Sequence, residues 1–306
     1  MVLKNCSISL LEPIFHLFTQ CLKSGSLPSQ WKIHKITPIP KKREIKNYRP
    51  ISLLCVLSKV LERIIYNKVI EFIRPKLSKI QFGFLKNRSA LQQLLAAFAL
   101  MHNALDNRHT INALYLDFRK AFDTVPHYEL LQKLWQIGIT GPLWKLFSNY
   151  LSNRSHFICY NGCNSSILPV LSGVPQGSIL GPLLFLIYVN DLPLSIRSAS
   201  CFLFADDTKL LHTIKNEQDQ QLFQDDIHQV ESWCQQYKLY LNTDKCNILH
   251  FSRAKYPSQH SVSYTLDGAT IRAASTQRDL GIIVNSDLSW TDNLNHICLK
   301  PQSLGD

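Results

Sequence analysis

The 306-residue sequence predicts an α+β fold, with strands and helices interspersed rather than regularly alternating. Two observations carry that prediction. In some segments apolar residues recur at three- and four-residue steps, as in Leu61, Ile64, Ile65, Val69, Phe72 and Ile73, with Lys59, Glu62, Arg63 and Lys68 between them. Other segments are short, rich in strand-forming residues and interrupted by acids, as in "INALYLDF" and "CFLFADDTKLLH". No internal repeat or low-complexity linker divides the chain, so any subdomains are expected to pack continuously.

Taken in order, "SLLEPIFHLFTQCLKSGSLPSQW" reads as a short helix ended near Gly25. "KIHKITPIPKKREIKNYRP" mixes β-branched and basic residues. Its seven lysines and arginines over residues 32–49 form either a phosphate-contacting surface or a solvated basic hairpin. A helix is expected from Ser58. "SALQQLLAAFALMHNAL" is a second, with Ser89 as its cap. "INALYLDF" is a strand, followed by a helix beginning near Pro126. Pro142 suits the first turn of "PLWKLFSNYL". The apolar run over residues 179–189 is too short to span a bilayer and reads as buried core. After residues 201–212, Phe223, Ile227, Val230, Cys234 and Tyr237 form the stripe of another amphipathic helix. "LGIIVNSDLSWTDNLNHICLKPQSLGD" offers a strand and then the start of a helix.

Composition narrows the class. Forty-five per cent apolar residues support a real core and exclude general disorder. A formal charge of +11 points to a polyanionic partner, without separating nucleic acid from an anionic membrane. Glu12, Pro13 and His16 interrupt any signal-peptide core. Nine cysteines form no CxxC pair, and nothing near Cys159 and Cys163 completes a zinc set. Reduced thiols in an intracellular protein, cytoplasmic or nuclear, are the expectation, with no targeting signal identified.

The acids carry the chemistry. Asp117 ends a hydrophobic strand, and Asp123 follows six residues later. "FADDTKLL" suggests two antiparallel strands joined at Asp206 and Asp207. Adjacent carboxylates repel, and burying either unpaired is costly. An exposed acidic turn is one reading. The other is a divalent cation: strands of one sheet would let Asp117 and Asp206 converge, and Mg²⁺ takes oxygen ligands and completes its shell with water and phosphate. Two such ions about 4 Å apart could activate a hydroxyl and stabilise a leaving pyrophosphate. Between these motifs lies "LSGVPQGSILGPLLF", where Gly173, Pro175, Gln176, Gly177 and Ser178 make a special loop ahead of a long apolar helix. Glycine permits close approach of a backbone or ligand, and the helix start presents unpaired amides.

Together these motifs resemble the reverse transcriptase domain of non-long-terminal-repeat, LINE-type retrotransposons. "PIPKK", "NYRPISLL" and "QFGFLKNRSA" resemble finger motifs. "YLDFRKAFDTV" resembles the palm motif with the first catalytic aspartate. "SGVPQGSILGPLLF" is similar to the gripping loop and helix, and "FADDTKLL" to the paired-aspartate motif. "LNTDKCNILHF" and "RDLGIIVNSDLSW" resemble the following lysine motif and the strand entering the thumb. The matches cover nearly the whole chain in family order.

The resemblance implies a right-hand polymerase fold with fingers and palm and a largely truncated thumb. Its expected division is residues 1–110 as N-terminal extension and fingers, 111–265 as palm with inserted helices, and 266–306 as the end of the palm and start of the thumb. It also implies an RNA-directed DNA polymerase acting on an RNA template, a DNA primer and deoxynucleoside triphosphates. Two Mg²⁺ ions would serve, with Mn²⁺ a possible substitute. Asp117 and Asp206 would bind both metals and Asp207 would support the site. Asp123 would cap or position locally. Lys245 would protonate the leaving pyrophosphate. Arg49, with Lys41 or Lys42, would clamp the triphosphate, and Phe122 would disfavour a 2′-hydroxyl. Gln176, Gly173, Pro175 and Gly177 would border the template–primer and nascent base pair, and Arg88 would contact nucleic acid. Leu85 replaces an arginine common in the family. Nothing early in the chain resembles the family's endonuclease, so Met1 is expected to be an internal methionine of a longer frame. Two alternatives stay open: a nucleic-acid-binding remnant, and an RNA-dependent RNA polymerase.

Overall fold

A computed structural model describes residues 5–40, 48–253 and 263–298. The chain divides into two compact units, each assembled from two separate stretches: Met1–Leu77 with Lys120–Val189, and Ser78–Arg119 with Asn190–Asp306. Elements below are numbered along the whole chain.

In the first unit, helix α1 (Ser7–Ser24) ends at Gly25, whose left-handed φ of 67° lets its N–H reach the Cys21 carbonyl. A side chain there would also meet the Lys145 β-carbon at 2.7 Å, so glycine is required twice over. Strand β1 (Ile33–Pro40) pairs antiparallel with β2 (Tyr48–Leu53) and parallel with β4 (Arg154–Tyr160). β4 also pairs with β5 (Cys163–Asn164) and β6 (Leu168–Val170). Helices α2 (Val56–Ile73), α4 (Ala121–Thr124), α5 (His127–Gln136), α6 (Gly141–Leu151) and α7 (Leu180–Val189) complete this unit. Pro142 does occupy the first turn of α6.

The stripe expected on α2 is narrower than its periodicity implied. Leu61, Ile65, Val69 and Ile73 are buried, whereas Ile64 and Phe72 are exposed, Phe72 lying under the Lys76 ammonium. Glu62, expected among the exposed polar positions, is buried instead. Its Oε2 accepts from the N–H groups of Ile179 (2.8 Å) and Leu180 (3.2 Å), and Ser58 donates to Oε1. These amides begin α7, whose own turns cannot satisfy them, so the buried carboxylate is a long-range cap. α7 itself is buried on every side, which accounts for its lack of charges. Among the described residues no helix is long and apolar enough to cross a membrane.

The second unit is built on a five-stranded sheet of order β12-β9-β3-β8-β7. These strands are β3 (Thr110–Leu116), β7 (Ser200–Phe204), β8 (Asp207–Ile214), β9 (Asn247–Phe251) and β12 (Arg272–Ala273). β3 is central and antiparallel to both β8 and β9; from Ile111 to Leu116 every residue is buried, so its apolar run reflects coverage on both faces. Met101, Ile111, Ala113, Phe202, Leu211 and Phe251 form the heart of one core. Truncating one of the large side chains among them, such as Met101, Ile111 or Phe251, to Ala costs about 2–5 kcal/mol, a large share of a domain's stability.

Helix α3 (Ala90–Asp106) packs on this sheet and has Ser89 as its cap, the hydroxyl accepting from the Gln92 N–H at 3.3 Å. Short α8 (Leu192–Ser195) precedes β7, and α9 (Glu217–Gln236) packs on β8 behind an Asn216–Asp219 capping box. Phe223, Ile227, Val230 and Cys234 are buried as their spacing predicts. Asp226 joins them because it accepts from three backbone N–H groups, of Arg197, Ser198 and Ala199. Two small hairpins follow, β10 (Thr265–Leu266) with β11 (Ala269–Thr270) and β13 (Thr276–Asp279) with β14 (Ile282–Asn285), and then helix α10 (Thr291–Cys298).

Candidate active site

The register of the second unit's sheet decides where its acids lie. Leu116 pairs with Thr208, and Phe204 pairs with Asp207 across a two-residue turn formed by Ala205 and Asp206. Asp117, one residue past β3, therefore emerges at the same sheet edge as Asp206 and Asp207. Its carbonyl accepts from Asn242 N–H at 2.7 Å, and its N–H points to the Cys246 sulfur at 3.5 Å. Both fix the strand end against the segment carrying Lys245, whose Nζ lies 3.8 Å from Asp117 Oδ2.

The charges are felt at Asp207, whose carboxyl is pushed up to about 6. Desolvation at the crowded turn is the main cause, followed by the charges of Asp206, Asp279 and Asp117, with Lys209 opposing. Four carboxylates thus share one region, with Lys209 and Lys245 beside them. Asp117, Asp207, Lys209, Lys245, Arg278 and Asp279 help to line a cavity of about 210 Å³. Among the described residues no group of three or more His, Cys, Asp or Glu side chains is arranged as a ready-made metal site. The clustered acids nonetheless suit a hard divalent cation, which takes several ligands from water and substrate phosphate.

A pH dependence follows. Because Asp207 holds its proton to higher pH in the folded chain than the usual carboxylate value of 3.8, the folded state binds more protons between about pH 4 and 6. Stability from this group is full below about pH 4 and is lost as pH rises through about 6. Asp207 retains solvent contact, so screening reduces the effect to roughly 1 kcal/mol. In metal-free buffer, urea unfolding should find Asp207→Asn about as stable as wild type near pH 4 and roughly 1 kcal/mol more stable at pH 7. An unchanged difference across that range would refute the coupling.

Lys209 and Asp279 were not singled out from the sequence. The lysine is 2% exposed and the aspartate 7%, and Lys209 Nζ donates to Asp279 Oδ2. Tyr115 lies buried beside them, its phenol pushed well up by burial and by the Asp279 charge. The available signal was a lysine inside the apolar half of "DDTKLL" and an acid just ahead of "LGIIV".

The remaining expected residues divide between the units. In the second, Arg88 is exposed, its guanidinium 5.0 Å from the Phe82 ring centre. In the first, Gln176 Nε2 donates to Asp123 Oδ1 at 2.8 Å, and the Gln176 carbonyl accepts from Ser52 N–H at 2.6 Å. Gly173 has a φ of +87°, and a side chain there would meet the Asp123 backbone at 2.6–2.7 Å. Gly177, with a φ of +107°, would similarly meet the Ser52 carbonyl at 2.7 Å. The glycines of this loop thus serve close backbone packing, and Pro175 between them is buried. Phe122 stacks on Phe185 with ring centres 4.5 Å apart and is half-buried. Arg49 is exposed on β2, while Lys41 and Lys42 lie outside the described residues.

With the fold and the geometry of the acidic cluster described, comparison with known proteins shows the family. The chain belongs to the family described as reverse transcriptase (RNA-dependent DNA polymerase), which matches residues 39–278. Within it, the chain is related to the proteins of non-long-terminal-repeat retrotransposons. It is 29% identical over 297 residues to "RNA-directed DNA polymerase from mobile element jockey" of Drosophila melanogaster, covering 92% of this chain and 32% of that protein. It is 30% identical over 293 residues to "Probable RNA-directed DNA polymerase from transposon BS" of the same species, covering 91% and 32%. The chain thus spans about a third of the length of these relatives. Among solved structures, apo telomerase from Candida tropicalis shares the fold, with a TM-score of 0.57 at 11% identity over 92% of this chain and 53% of that one.

Proposed function

We propose that this chain is the polymerase portion of a retrotransposon protein, adding deoxynucleotides to a primer 3′-hydroxyl on an RNA template. Residues 1–110 would supply the N-terminal extension and fingers, 111–265 the palm, and 266–306 the palm's end and the start of a thumb. The observation that carries the reading is the convergence of Asp117 with the Asp206–Asp207 turn at one sheet edge, in family order. Asp117 and Asp206, with Asp207 in support, would hold two Mg²⁺ ions. Bound there, the ions would lower the pKa of the primer hydroxyl and neutralise charge developing on the transferred phosphate.

The chain's own residues would then orient and exchange protons. Lys245 stands near Asp117, where its ammonium could donate to departing pyrophosphate. Arg49, with Lys41 or Lys42, would grip the triphosphate, the guanidinium matching phosphate oxygens in two-point fashion. Gln176 would border the nascent base pair while restraining Asp123. Primer extension on an RNA template, by the chain and by a version lengthened through a thumb, tests the assignment. Mg²⁺-dependent deoxynucleotide addition is the expected result. Tight template–primer binding without extension in the longer version would leave a binding protein as the better account.

Phe122 gives a second test. If its ring, held by stacking on Phe185, screens the nucleotide sugar, then Phe122→Val should admit ribonucleotides. A preference for deoxynucleotides lowered at least about tenfold, or ~1.4 kcal/mol, is expected in parallel incorporation assays. An active variant with unchanged preference would return Phe122 to a packing role.

A further inference from the structure

The Ala205–Asp206 turn that leads into Asp207 has an internal problem. Its first residue, Ala205, sits at a φ of +58°, in the left-handed region where a non-glycine residue is strained. A two-residue hairpin turn with positive φ at its first position ordinarily takes glycine there. Something outside the hairpin must hold Ala205 in place.

The segment around Gln81 does so. Phe82 N–H donates to the Leu203 carbonyl at 2.8 Å, and Leu203 N–H donates to the Ile80 carbonyl at 3.1 Å, so the segment runs parallel to the end of β7. Gln81 is 3% exposed, and its Oε1 accepts from both the Gly83 N–H (2.8 Å) and the Ala205 N–H (3.0 Å). Two backbone donors converging on one side-chain oxygen fix the amide's orientation, since its NH₂ end could not face them. Gly83 lets the segment come this close. A β-carbon there would lie 2.3 Å from the Ala205 nitrogen and 2.9 Å from the Phe204 carbonyl carbon.

We propose that Gln81 is a positioning residue, whose side-chain carbonyl holds the strained Ala205 turn and thereby aims Asp206 and Asp207. Its bearing on catalysis rests on the polymerase reading above; its bearing on the turn does not. Removing the acceptor frees the Ala205 amide, lets the turn relax, and moves the two carboxylates out of register with Asp117. The backbone bonds of Phe82 and Ile80 with Leu203 do not use the Gln81 side chain, so β7 should keep its place, and on the polymerase reading primer–template affinity should be unchanged.

The test compares wild type, Gln81→Met, which keeps the length without the acceptor, and Gln81→Glu, which keeps a carbonyl oxygen in place. Hydrogen exchange at the Ala205 amide, followed by NMR, reads the clamp directly. Mn²⁺ affinity by electron paramagnetic resonance and steady-state primer extension read the site. In wild type and Gln81→Glu the amide should be protected. In Gln81→Met its exchange should quicken at least about a hundredfold, Mn²⁺ affinity should fall about tenfold, and kcat should fall with the KM for primer–template unchanged. An unprotected Ala205 amide in wild type overturns the clamp. Faster exchange in Gln81→Met with wild-type Mn²⁺ affinity overturns the aiming. Wild type that protects Ala205 but neither binds Mn²⁺ nor extends primers instead overturns the polymerase reading.

Discussion

Replacing Asp206 with asparagine is expected to abolish primer extension while leaving template–primer affinity nearly unchanged. The substitution keeps the shape of the turn but removes one negative charge from a region where Asp117, Asp206, Asp207 and Asp279 lie together. On the proposed polymerase reading, divalent cations would be held there by charge, and their loss would remove several kilocalories of transition-state stabilisation. A fall in rate of at least about a thousandfold, or ~4 kcal/mol, is the expected size. On the same reading, nucleic-acid binding would depend instead on phosphate contacts from lysines and arginines, so its salt dependence should persist. The measurement is extension in the thumb-containing version, beside filter binding at several salt concentrations. Extension within tenfold of wild type would remove Asp206 from the chemistry. Equal loss of binding would mean that the turn supports the fold instead.

Asp279→Ala is expected to cause the largest loss of stability, about 3–5 kcal/mol. Lys209 is 2% exposed, and Asp279 is the carboxylate to which its ammonium donates. Burial alone lowers the lysine's pKa, and Asp279 opposes that shift. Without Asp279 the buried charge loses its main compensation, and the lysine must either deprotonate or pull toward solvent. The pair also joins β13 to β8, so its loss would loosen the hairpin against the strand that begins at Asp207. Lys209→Met/Asp279→Leu replaces both charges by apolar groups and should recover most of the loss, because neither partner is then left unpaired. Urea unfolding of the single and double variants measures both effects. Additive losses, or an Asp279→Ala variant within 0.5 kcal/mol of wild type, would show that the pair carries little energy.

The local elements were readable from the sequence because short-range rules govern them. Gly25 ends α1 since its φ is left-handed, and Ser89 caps α3 through its own side chain. Asp117, Asp206 and Asp207 stood out because acids interrupting apolar strands demand compensation. Family order then linked motifs far apart in the chain. The Lys245 side chain near Asp117 and the half-buried Phe122 lie where residue-level geometry had to be seen.

Other features depended on contacts between distant segments. Glu62 looks like a surface residue in a helix pattern and becomes buried only because the start of α7 brings two unpaired amides to it. Lys209 looks like a solvated charge until Asp279, seventy residues on, is folded against it. Gln81 carries no charge and no periodic signal, and its importance appears only when Ala205 is seen at positive φ beside it. The grouping of Met1–Leu77 with Lys120–Val189, and of Ser78–Arg119 with Asn190–Asp306, is likewise absent from any local pattern. Periodicity, caps and turn residues report energies within a few residues of chain. Pairing a buried charge, satisfying a distant helix end and bracing a strained turn are interactions between segments, and they exist only once the chain has closed on itself.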